Sequence, residues 1–244
     1  MVVYKEVPEH LQSPMWKRIL RSFFKWVFWS IVVFVVSSVV LVFVYKFIPP
    51  ILTPLMVIRS IEGVFKGKAV GINKSWISYE EMSKNIKKAL IFSEDKRFLQ
   101  HDGFDWKAIE AAKRYNERMK GKRVLGASTI SMQTSKNVFL WHGRNYIRKG
   151  LEAYFTVLIE AVWGKERILE VYLNVIEWGD GIYGVEAASQ YYFQKSARNL
   201  TSREAGALAA IVPNPRKWSA SQPTKYIKKR TSLISSQLGG VKIP

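Results

Sequence analysis

A mostly α-helical domain behind one membrane-spanning helix is the architecture that three observations predict. A charge-free apolar run lies near the N-terminus, apolar residues recur at helical spacing over most of the remainder, and period-two alternation is nearly absent. The apolar run, Trp26 to Tyr45, is bounded by Lys25 and Lys46 and consists almost entirely of Val, Phe, Ile, Leu and Trp. A helix of that length, at about 1.5 Å per residue, crosses roughly 30 Å of hydrocarbon. A cleaved signal peptide or a buried core helix is the rival reading. The run is longer than a signal h-region, however, and no small-x-small cleavage site follows it. Lys17, Arg18, Arg21 and Lys25 crowd the N-terminal flank, whereas Lys46 stands alone on the other side until Arg59. The positive-inside tendency therefore predicts cytoplasmic residues 1–25, a span over 26–48, a connector over 49–77 and an outward-facing domain over 78–244.

Pro49-Pro50 and Pro54 end the span and open the connector. Faint alternation between Val64 and Ile77 admits a short hairpin. Ser78-Tyr79-Glu80-Glu81 has the form of a capping box, and Met82, Ile86, Ala89 and Leu90 share one helical face, so a helix is predicted over 79–92 with Glu94 just beyond its end. A second helix is predicted over 105–119, with Asp105 as N-cap, Ile109 and Ala112 inward and Gly121 as its stop. Lys120 to Gly126 reads as a basic loop leading into a helix that starts near Ser128. Further helices are predicted over 145–162, 165–176, 184–193 and 202–211. The last opens on a capping box at Thr201-Ser202-Arg203-Glu204 and closes at Pro213.

With 244 residues, the chain minus its anchor has room for one domain. Its 38 Lys and Arg against 19 Asp and Glu leave a formal charge of +19, which points to polyanionic partners: nucleic acid, anionic lipid headgroups or a phosphorylated substrate. The absence of cysteine excludes disulfides, thiolate metal sites and a cysteine nucleophile. The basic run Lys225, Lys228, Lys229 and Arg230 reads as a solvated tail with no assigned role.

Four spaced motifs carry chemistry: Glu94-Asp95-x-x-Phe98-x-x-His101-x-Gly103, Gly126-x-Ser128-Thr129-x-x-x-Gln133-x-x-Lys136-Asn137, Arg148-Lys149-x-x-Glu152 and Tyr172-Leu173-Asn174. Glu94 at a helix end, followed by an aromatic, a histidine and a glycine turn, suits a general acid or base held in a cleft; alone, it equally suits a solvated Glu-Asp pair. Ser128 and Thr129 at a helix start form a candidate phosphate cradle or an ordinary cap, and Gln133, Lys136 and Arg144 extend its polar surface. Arg148 and Glu152 stand four apart, which an intrahelical ion pair explains. The apolar remainder of that helix (Leu151, Tyr154, Phe155, Val157, Leu158, Ile159, Val162) instead predicts burial, with the polar cluster lining an internal cleft.

In this order, over residues 80–215, the motifs resemble those of the family 51 glycosyltransferases, which polymerise lipid II; Trp141-His142-Gly143-Arg144 and Gly179 to Ala188 resemble its monofunctional branch. The resemblance implies a lysozyme-like, two-lobed helical fold around a cleft. It also implies polymerisation of lipid II into glycan strands with inversion at the anomeric carbon and release of undecaprenyl pyrophosphate. Glu94 matches the catalytic base and Glu152 the second essential glutamate. Lys136, Arg144, Arg148 and Lys149 match positions that contact the donor's phosphates, while Ser128, Thr129, Gln133 and Asn137 resemble the polar wall of the donor site. Asn174 and Glu160 look structural. The implied cofactor is a divalent cation, Mg²⁺ or Mn²⁺. The implied partners are lipid II, the growing lipid-linked glycan, the membrane, and cell-wall or division proteins, with no nucleic acid; the implied location is the bacterial cytoplasmic (inner) membrane with the catalytic domain periplasmic. One departure stands out: the family shows two consecutive glutamines where this chain has Met132-Gln133, which removes one donor-site hydrogen bond. Two rivals remain. A lysozyme-like hydrolase or lytic transglycosylase has no need of the four-cation cluster; a membrane-anchored scaffold or nucleic-acid binder explains the charge and the anchor, but nucleic-acid binding sits badly with an outward-facing domain and no recognisable binding motif.

Overall fold

The computed structural model describes residues 14–67, 71–120, 124–143 and 145–244, in two compact units that divide between Val44 and Tyr45. The first unit is most of helix α1 (Met15–Phe47), whose 33 residues extend about 50 Å. Among the described residues it is the one helix long and apolar enough to cross a membrane. It starts well before Trp26, so Lys17, Arg18, Arg21 and Lys25 ride on its first turns, and it ends ahead of Pro49-Pro50.

The second unit begins at Tyr45, inside the predicted span, and takes in the predicted connector. Thr53 caps α2 (Pro54–Phe65), accepting the Met56 N–H, and Pro54 occupies the first turn, where its missing N–H costs nothing. Among the described residues between Val64 and Ile77 no hairpin is present. That stretch supplies only β1 (Asn73–Lys74), which pairs in parallel with β3 (Ile182–Tyr183); β2 (Glu177–Gly179) lies antiparallel on the other side of β3. The partner comes from far along the chain, and the Lys74 ammonium anchors β1 by donating to the Pro50 and Ile51 carbonyls. Asn174 completes the anchorage, since its amide accepts the Ile77 N–H at 3.0 Å and donates to the Ile77 carbonyl at 2.9 Å.

Helix α3 (Lys84–Glu94) starts later than predicted. Ser83 is its N-cap, and the Ser78–Glu81 hydrogen bond of 3.0 Å closes a turn that precedes it. Glu94 is therefore the last helical residue, with Asp95 as C-cap. Helices α4 (Trp106–Met119, capped by Asp105), α6 (Tyr146–Val162), α7 (Gly164–Val175), α8 (Val185–Phe193) and α9 (Ser202–Ile211, with the Thr201–Glu204 capping box) lie where they were expected. Gly121, the expected stop after α4, lies outside the described residues, as does Arg144. Helix α5 (Ile130–Phe139) is capped by Thr129. The supposed basic tail is helix α10 (Lys225–Gln237), whose buried stripe is Ile227, Thr231, Ile234 and then Leu238.

Two helical groups build the core. Helices α3, α9 and α10 pack on one another around Ile86, Leu90, Leu208 and Ile227. Helices α5, α6 and α7 pack around Ile130, Ile159, Leu169 and Tyr172, with α2 against α5. Each such side chain removed from water contributes about 1.5–3 kcal/mol. Gly206 sets the spacing of α9 and α10, because a Cβ there would stand 2.5 Å from Ser235 Oγ and 3.0 Å from the Thr231 carbonyl oxygen. Helix α6 is amphipathic rather than wholly buried: Phe155 and Ile159 face inward, and Val157 is 57% exposed.

Candidate active site

The two groups meet at Glu94. From the end of α3 its Oε2 accepts a hydrogen bond of 3.1 Å from Gln133 Nε2 on α5, and Gln133 Oε1 accepts one of 3.0 Å from the Tyr172 hydroxyl on α7. The amide is thereby oriented at both ends. Burial pushes the Glu94 carboxyl above its ordinary range, further assisted by the neighbouring Asp95, while the Gln133 hydrogen bond and the charges of Arg230 and Lys136 oppose the shift. Burial likewise holds the Tyr172 phenol far above its ordinary range, so it remains a neutral donor.

Asp95 and Gly103 explain the rest of the first motif. The Asp95 carboxylate accepts the Ile130 N–H at 3.0 Å and faces His101 Nε2 at 3.1 Å, which ties the end of α3 to the start of α5. Thr129 donates to the Gly103 carbonyl at 2.6 Å and accepts the Met132 N–H at 3.2 Å. Gly103 adopts φ +91°, and a Cβ there would lie 2.7 Å from Thr156 Cγ2. These contacts show the capping half of the expectation at the start of α5. The Ile130 and Met132 N–H groups are already engaged, by an internal carboxylate and by the capping hydroxyl respectively.

One turn beyond Gln133, Lys136 links Glu94 to a second cluster. Its ammonium has no hydrogen-bond partner among the described residues and feels the charges of Glu152, Arg148, Lys149 and Glu94. Burial, aided by the two nearby cations, holds its pKa below the ordinary lysine range. Asn145 caps α6 by accepting the Arg148 N–H at 2.7 Å. Arg148 is 8% exposed; its Nε donates to the Gly143 carbonyl at 2.8 Å and its Nη1 to Glu152 Oε2 at 2.6 Å. Lys149 Nζ holds the other oxygen, Oε1, at 2.5 Å. Glu152 is 3% exposed, so this is no surface ion pair. Three cations, Lys136, Arg148 and Lys149, face one carboxylate, which leaves two positive charges in surplus. Beside them burial, then Arg59, Lys136 and Arg148, push His142 down to about 4 and keep its imidazole neutral.

The structure thus gathers Glu94, Gln133, Lys136, Arg148, Lys149 and Glu152. Ser128 is exposed and reaches Gln133 only through its carbonyl, at 3.5 Å. Thr129 and Asn137 are buried, and the Thr129 hydroxyl is consumed by the fold. Met132 is 5% exposed, so its side chain packs in the core, whereas Gln133 is the residue that reaches Glu94. Glu160 is held by Ser131 at 2.5 Å and Lys165 at 2.7 Å.

Comparison with known proteins supplies the family. The Transglycosylase family model matches residues 63–239. The chain belongs to the transglycosylase family. Among relatives named biosynthetic peptidoglycan transglycosylase, the protein of Bdellovibrio bacteriovorus is 52% identical over 88% of this chain and 85% of its own length. That of Pseudomonas fluorescens strain SBW25 is 51% identical over 85% and 87%, and that of Caulobacter vibrioides 49% over 93% and 94%.

Sequence reasoning missed one charged residue of this candidate site. Arg230, placed by α10, acts electrostatically on Glu94, and its Nε is buried without a partner among the described residues. The Ile227, Ile234 and Leu238 spacing was the signal for α10, but polar Thr231 interrupts the stripe and the neighbouring lysines mask it.

Proposed function

We propose that this transglycosylase is a peptidoglycan glycosyltransferase of cell-wall synthesis, one that polymerises lipid II into glycan strands. The observation that carries the assignment of roles is the pairing of one desolvated carboxylate with a surplus of cations across Lys136. Glu94 accepts the proton of the acceptor's 4-hydroxyl, and a raised pKa makes it a better proton acceptor at neutral pH than an ordinary glutamate. The acceptor oxygen forms a bond to the donor's anomeric carbon from the face opposite the leaving group. The bond from that carbon to the phosphate oxygen breaks, and its electron pair leaves with undecaprenyl pyrophosphate, so configuration inverts. Lys136, Arg148 and Lys149 neutralise that anion, and the sequence motif adds Arg144 to them. Glu152 positions Arg148 and Lys149 rather than touching the reacting carbon. Gln133 and Tyr172 orient Glu94.

The expected divalent cation, Mg²⁺ or Mn²⁺, does not fit the described residues by themselves. Both Glu152 oxygens are held by cations, and no group of three or more His, Asp or Glu suited to a metal occurs among those residues. Helix α1 anchors the enzyme in the bacterial cytoplasmic membrane, residues 1–25 inside and the catalytic unit outside; the four cations on its N-terminal side support that orientation.

The test is incubation of the purified full chain with labelled lipid II in vesicles, with and without Mg²⁺ or Mn²⁺, following strands on a gel. Wild type yields strands and Glu94→Gln none. Cleavage of preformed peptidoglycan in place of synthesis would overturn the assignment in favour of a hydrolase.

A further inference from the structure

A second cavity lies apart from the catalytic cluster. It is open, about 670 Å³, and formed by β1, the β2–β3 turn, α8 and the segment from Pro215 to Gln222. Its walls combine aromatic faces, exposed Tyr191 and half-buried Trp218, with polar groups of both kinds. Asn73 and Gln222 carry amides, and Asp180 and Arg216 form a 3.0 Å pair on the rim. Neither ring is loose: Tyr191 packs edge-on against Tyr192 at 4.9 Å, and Trp218 lies 5.7 Å from Tyr226.

We propose that this groove binds the growing glycan strand outside the catalytic cleft; the inference rests on the polymerase assignment and extends it. A pyranose ring presents C–H faces that stack on aromatic rings, and a rim of hydroxyl and amide groups that needs both donors and acceptors. An apolar chain would strip water from the Asn73 and Gln222 amides and from the Asp180–Arg216 pair without replacing it, whereas an N-acetylated amino-sugar chain offers them new partners. The groove is also connected to the catalytic centre through the chain. Helix α7 carries Tyr172, which orients Gln133 against Glu94, and runs directly into β2 and the Asp180 turn. A strand held at both places keeps its reducing end at high effective concentration in the cleft, which favours repeated addition over release.

The test uses the full chain in detergent carrying Glu94→Gln, so that binding is read without turnover, with a chitotetraose (tetra-N-acetylglucosamine) probe titrated by Trp fluorescence and by calorimetry. Tyr191→Ala and Trp218→Ala each weaken the probe by about tenfold, and Tyr191→Phe restores affinity because stacking survives. In the otherwise wild-type chain, Tyr191→Ala shortens the strands made from lipid II. Unchanged probe affinity in both alanine variants, with melting temperatures equal to the parent, overturns the groove as a glycan site. That result leaves the polymerase assignment intact, because loss of strands in Glu94→Gln is read separately.

Discussion

Glu94 is costly to the fold in the form in which it is useful. Because the native state raises its pKa, the stability associated with the bound proton is fully present below the ordinary value of 4.5 and is lost as pH rises through the folded value. Glu94→Gln is therefore expected to melt at a higher temperature than wild type near neutral pH, with the gap closing below pH 4.5, while strand synthesis stops. Calorimetric melting across pH checks this, and a variant that melts lower at every pH would contradict it. The same shift sets the acid limb of the rate profile. Synthesis should fall as pH drops through an apparent pKa above 4.5, measured with lipid II over a pH series. Gly103 is a second residue-scale constraint. Gly103→Ala combines a strained φ with a 2.7 Å clash against Thr156 Cγ2, and should lower stability by about 2 kcal/mol or more in denaturant unfolding.

Between elements, the important joints are polar or small rather than greasy. The Asp95 carboxylate connects the end of α3 to the first turn of α5 and to His101, so Glu94 and Gln133 stay within hydrogen-bonding distance. Asp95→Ala leaves the Ile130 N–H without its acceptor and should cost about 1–3 kcal/mol. It should also reduce synthesis although Asp95 touches no reacting atom; undiminished activity would show that the joint does not position the base. Helix α10 depends on Gly206 in a similar manner. Gly206→Ala should push α10 from α9, lower the melting temperature and move Arg230 away from Glu94, which shifts the acid limb of the rate profile to higher pH.

The chain as a whole separates into an apolar helix and a catalytic unit that begins at Tyr45. That boundary is chemical as well as geometric, since the Tyr45 carbonyl accepts from Arg167 Nη2 at 2.9 Å. A chain starting at Tyr45 should unfold cooperatively with native helicity by circular dichroism but lose its partition into liposomes, as measured by flotation. Retained flotation would assign membrane binding to the catalytic unit.

The amino-acid sequence by itself determined the apolar span, seven of the helices (α3 to α9) and the four motifs, because each rests on interactions within a few residues: caps at Asp105 and Thr201, apolar spacing along α3 and α6, charge flanking the span. It also determined which glutamates and cations to consider. Only the tertiary structure decided what they do for one another. It desolvated half-buried Glu94, gave Gln133 to it through Tyr172, buried the Arg148–Glu152 pair, spent the Ile130 N–H on Asp95, and brought Arg230 to the base from the far end of the chain. The physical reason is range: a cap or an amphipathic stripe is a local free energy, whereas desolvation and charge coupling depend on which distant elements pack together.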